Sequence, residues 1–114
     1  MTRQKLDLWL LPWPGVTQDI KWGNDLVYSV AGKMFAVLSL QPEDGGPVSF
    51  KAEQDRFIEL TARPGIAPAP YLARHFWVAV SRDQALATDE WTALLRTSYE
   101  LVVAKLPRRT HEGL

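Results

Sequence analysis

Apolar positions change their spacing several times along this chain, and each change marks an element. In residues 2–11, Leu6, Trp9 and Leu10 recur at three and four, which is one stripe of a short helix closed by Pro12 and Pro14. The stretch DLVYSVAGKMFAVLSL instead alternates and is rich in β-branched and aromatic residues around Ala31-Gly32, the pattern of a hairpin. QPEDGGP reads as a loop and VSFK as a short strand. Residues 55–62 read as a helix with Phe57, Ile58 and Leu60 on its apolar side. After a proline-rich loop, FWVAV is a further strand. Trp91, Leu94, Leu95, Ser98, Val102 and Leu106 then trace one helical face, started by Thr88 and Asp89 and stopped by Pro107. Helix, strands, helix, strand or strands, helix predicts an α+β, two-layer fold, a mostly antiparallel sheet with helices on one face.

Composition adds that residues 1–114 are expected to form a single domain, since no second block carries its own hydrophobic pattern. The chain is 46% hydrophobic and 23% charged with five tryptophans, the make-up of a folded globule. It contains no cysteine, which excludes disulfides, thiolate catalysis and sulfur-ligated zinc. The N-terminal apolar run is interrupted by Lys5 and Asp7, is too short to span a bilayer, and has no small-residue cleavage site. A cytoplasmic protein with no membrane association is therefore expected. Formal net charge is zero, so a nucleic-acid site has to be a local patch.

Catalytic chemistry finds little support. His75 and His111 are far apart, and neither has a carboxylate at metal-ligand spacing on a helix. Ser29, Ser39, Ser49, Ser81 and Ser98 have no nucleophile-elbow context. Gly45-Gly46 has neither the lysine nor the following helix of a phosphate cradle and reads as a hairpin tip. Asp19 and Asp25 bracket Lys21-Trp22-Gly23, but as turn residues rather than an acid and base. The expectation is no enzyme, no metal and no cofactor.

The cations are more informative. Lys21, Lys33 and Lys51 fall at strand ends, Arg63 and Arg74 flank the proline loop, and Lys105, Arg108 and Arg109 cluster near the C-terminus. Isolated lysines at strand ends are ordinarily solvated, and Lys105 favours the negative end of the last helix dipole. Against that, Pro64, Pro68 and Pro70 stiffen RPGIAPAPYLARHFW, so Arg63, Tyr71, Arg74 and His75 could be presented already ordered to an anionic partner. The same prolines also serve to route the chain across the sheet edge. Trp77, alternating with Ala79, reads as core. Trp22 reads first as an aromatic sealing the sheet edge and second as a face offered to a base. Tyr99 reads as packed.

Three stretches carry a resemblance: LPWPGVTQDIKWG, RPGIAPAPYLARHFWVAV and SYELVVAKLPRR, with GKMFAVL between them. Together they resemble the MmcQ/YjbR family of small bacterial proteins over nearly the whole chain. The matching positions are Lys21, Trp22 and Gly23; Gly32 and Lys33; Pro64, Gly65, Pro68, Tyr71, Arg74 and Trp77; and Tyr99, Lys105, Leu106 and Pro107. The first helix is shorter than that family's usual one. The resemblance implies a frataxin-like or secretion-chaperone-like α+β fold in the order α-β(3)-α-β(2)-α, a sheet of about five strands. It also implies a DNA-binding role with a double-wing arrangement.

Residues and resemblance together give a non-enzymatic DNA-binding domain that holds duplex DNA weakly through phosphates. Its candidate contacts are Lys21, Trp22, Lys33, Lys51, Arg63, Arg74 and His75, on one face. The alternative is a protein- or peptide-binding or dimerising module. It rests on MFAVL, where both alternating faces are apolar and Phe35 and Val37 would be left exposed for a partner or a second copy. A frataxin-like iron role is a third reading, with only Asp7 available on the first helix.

Overall fold

The first apolar stripe forms helix α1 (Arg3–Leu10), capped by the Thr2 hydroxyl, which accepts from the Lys5 N–H, and it buries Leu6 and Leu10. In this computed structural model residues 1–41 and 46–114 are described; the loop expected at QPEDGGP, with its Gly45-Gly46 tip, rests largely on residues 42–45, outside the described residues. After α1 come β1 (Val16–Lys21), β2 (Asp25–Val30), β3 (Lys33–Ser39) and β4 (Val48–Lys51), then helix α2 (Gln54–Thr61). β5 (Ile66–Pro68), a 3₁₀ turn at Ala73–His75, β6 (Trp77–Val80), helix α3 (Thr88–Ala104) and a short helix α4 (Arg108–Glu112) complete the chain.

The six strands of the described residues form one open antiparallel sheet in the order β1-β2-β3-β4-β6-β5. The α+β class and the antiparallel sheet are those the pattern predicts, but four strands rather than three precede α2. The β2–β3 hairpin turns at Ala31 and Gly32, both at positive φ, as a two-residue primed turn requires. Leu26, Tyr28, Val30, Phe50, Val78 and Val80 point to one side of the sheet. There they join Leu6 and Leu10 of α1, Leu60 of α2 and Trp91, Leu94, Leu95 and Tyr99 of α3 in a single core cluster. Asp7 fixes α1 to the sheet by accepting from the Tyr28 hydroxyl and the Gln18 amide, both at 2.6 Å. Burial, reinforced by that carboxylate, raises the Tyr28 pKa and keeps the phenol protonated.

One irregularity decides which side of β3 faces what. Tyr28 pairs with Ala36 and Ser29 with Met34, so Phe35 is an extra residue, a β-bulge. The bulge turns Phe35 onto the core side beside Ala36, where its ring meets Trp13 at 6.1 Å and Tyr99 at 5.5 Å. The expectation of an exposed Phe35 is thereby corrected: it is 0% exposed. Strict alternation fails across a bulge, and Met34 and Val37 are the residues left on the open side. The β3–β4 ladder ends at Ala36–Phe50, and the next pair is joined through Ser98 of α3. Its buried hydroxyl donates to the Phe35 carbonyl at 2.6 Å and accepts from the Lys51 N–H at 2.9 Å.

Candidate functional site

Strand direction sorts the sequence-derived cations into two groups. Lys21 ends β1 beside Asp25, whereas Lys33 begins β3 beside Val30 at the other end of β2. Five residue steps of strand put these ends about 17 Å apart. Lys21 is therefore separated from the other lysines, contrary to the expectation of one shared groove. Lys51 ends β4 and pairs with Trp77 at the Lys33 end, and the 3₁₀ turn brings Arg74 and His75 to the same place.

Helix α3 overruns this end of the sheet and adds Lys105. Lys33, Lys51, His75 and Lys105 line a depression of about 350 Å3 walled by Trp77, Val102 and Leu106. Arg74 stands on the adjoining side, where Glu53 and Asp55 also lie. Burial, and then the nearby Lys105 ammonium, lower the Lys51 pKa, since each disfavours a second positive charge. Among the described residues none of these five side chains enters an ion pair. Lys105, which the sequence presents as a helix-dipole residue, is marked there by its place in the SYELVVAKLPRR match and in the C-terminal basic cluster.

Arg63 belongs elsewhere. Its guanidinium donates to Glu59 of α2 and Glu90 of α3, each at 2.9 Å, which ties the two helices together. Those contacts, Glu90 first, raise the Arg63 pKa. The Glu90 carboxylate is held below its ordinary range by the Ala87 N–H and then by Arg63. Arg63 is thus structural and is withdrawn as a phosphate contact.

The aromatics divide as unevenly. Trp77 is buried, as the pattern predicts, and Tyr99 is packed, donating to the Pro14 carbonyl at 2.7 Å. Trp22 does not seal the sheet edge: it is 69% exposed at the tip of the β1–β2 hairpin, with φ at 52°. Tyr71, in the proline loop, is 98% exposed with φ at 66°. Bulky side chains rarely occupy this left-handed region, which costs on the order of 1–2 kcal/mol per residue.

For the iron reading, Asp7 is engaged by Tyr28, Gln18 and Arg3, and no three His, Asp or Glu side chains gather as a metal site among the described residues. Nor, among the described residues, is any helix long and apolar enough to cross a membrane.

The profile of the YjbR family matches residues 11–101. Among solved structures, a Deinococcus radiodurans protein with a DUF419 domain is 26% identical, with a TM-score of 0.87 over 97% of this chain and 86% of that one. A Pseudomonas syringae protein is 20% identical, with a TM-score of 0.71 over 89% of this chain and 98% of the other, a likeness of fold. No curated protein matches the chain.

Proposed function

Because the chain belongs to the YjbR family, we propose that it is a DNA-binding protein without catalytic chemistry of its own, contacting phosphates through the basic end of its sheet. The observation that carries this reading is the convergence of Lys33, Lys51, Arg74, His75 and Lys105 from four parts of the chain at one place, with no carboxylate pairing them among the described residues. Lys51 and Lys105 repel one another in the free protein, and an anion between them relieves that repulsion. A phosphodiester supplies such an anion repeatedly along a groove. Glu53 and Asp55 weaken the field on the Arg74 side, which leaves Lys33, Lys51 and Lys105 as the principal contacts. The same reading places the protein in the bacterial cytoplasm, where duplex DNA is accessible.

With no net charge to add long-range attraction, duplex binding is expected at a dissociation constant on the order of 10⁻⁴–10⁻⁶ M at physiological salt, without strong sequence preference. Three phosphate contacts give log affinity a slope on log salt of about −2.7. Fluorescence polarisation of a labelled duplex across a salt series tests this. Lys51→Ala and Lys105→Ala are each expected to flatten the slope by about one unit, whereas Lys21→Ala and Arg63→Ala leave it unchanged. Undetectable binding at low salt, or a slope indifferent to Lys51, would reject the reading.

A further inference from the structure

The open face of the sheet carries chemistry opposite to that of the basic end. A groove of about 610 Å3 has Met34, Val37 and Ala79 in its floor, and Trp22 and Tyr71 line it as well. Trp22 comes from the hairpin at the β1 edge and Tyr71 from the segment that follows β5 at the other edge, so the two rings line the groove from opposite edges of the sheet. They are the two most exposed aromatic side chains among the described residues, and both sit on left-handed backbone. Such strain at bulky residues is characteristic of ligand clamps. The volume lies within the range of about 300–1,000 Å3 usual for small-molecule sites.

Charge selects the ligand. Asp25 supplies the only charged side chain in the lining among the described residues. Lys21 is its cross-strand partner on the same face, yet no ion pair within 4.0 Å joins them. We propose that this groove binds a small organic cation, its ammonium against the Trp22 ring within reach of the Asp25 carboxylate and its apolar body on Met34, Val37 and Ala79 toward Tyr71. Aromatic faces attract cations through their quadrupole, and a carboxylate beside them adds direct charge complementarity. A nucleotide chain fits less well, because among the described residues the lining holds no cation for its phosphates and Asp25 repels them.

The test is a titration read on the Trp22 indole N–H resonance, which is assigned by its loss in Trp22→Leu. The probes are benzyltrimethylammonium, the neutral benzyl alcohol and the anionic benzenesulfonate. Saturable binding of the cation, tighter than either control, is expected. Tyr71→Leu and Asp25→Asn should each weaken it by about 2- to 30-fold, while Tyr71→Phe, which keeps the ring, retains it. Both rings are exposed, so these variants stay folded, which an unchanged amide spectrum checks. Equal affinity for all three probes would overturn the proposal, as would an indole shift produced instead by a single-stranded oligonucleotide or by self-association. Lys51→Ala leaves cation binding unchanged, so this result and that of the duplex titration are independent.

Discussion

Trp22 places a large ring where the backbone favours a small or amide side chain. At φ 52° a bulky residue crowds the following carbonyl, whereas asparagine tolerates the region well. Its ring is mostly in solvent, so little burial opposes the strain. Trp22→Asn is therefore expected to stabilise the protein by about 1 kcal/mol, seen as a higher urea midpoint at unchanged m-value, while abolishing capture of the organic cation. A fall in the midpoint would mean that the indole covers core. No residue pattern announced this exposure: an aromatic between Lys21 and Gly23 reads the same whether it folds inward or outward. Arg63 was equally opaque, because its partners Glu59 and Glu90 lie on two helices that come together only in the tertiary structure.

Elements were legible in proportion to how much of each is buried. Helix α3 and the β2–β3 hairpin bury continuous stripes, and their periods give them away. β1 is an edge strand whose Gln18, on the core side, is polar because it serves Asp7, so VTQDIK shows no apolar alternation. β5 has three residues and ends in Pro68, which confines it to a sheet edge. The bulge at Phe35 misled the reading of MFAVL, since an inserted residue leaves no trace in composition. Ser98 compensates for the ladder bond that the bulge interrupts. Ser98→Ala leaves the Phe35 carbonyl and the Lys51 N–H without that partner, and a loss of about 1–3 kcal/mol is expected from denaturant unfolding. Faster amide exchange at Lys51 would localise the damage. An unchanged midpoint would show that water replaces the hydroxyl.

At the scale of the molecule, Arg63 joins α2 and α3 through carboxylates whose folded pKa values lie below the ordinary 4.5. A depressed carboxylate pKa contributes stability that is complete above the unfolded value and disappears as pH falls through the folded one. Stability is therefore expected to decline as pH falls through and below the ordinary carboxylate range. Glu90→Gln, which keeps an oxygen for the Ala87 N–H, is expected to make that decline shallower in acid-unfolding curves. An identical decline would assign the acid sensitivity to other carboxylates.

The bulge also sets where β3 tolerates a change of length. Met34 and Val37 share the open side and Ala36 and Leu38 the core side whether or not Phe35 stands between Met34 and Ala36. A deletion at position 35 would remove one aromatic ring from the core and close the ladder, with every other residue keeping its face. A deletion at Val37 would instead turn Leu38 outward and Ser39 into the core, or slide the strand along both neighbours. Within this strand the chain can therefore shorten at position 35 without exchanging the surface that grips the helices for the one that faces solvent.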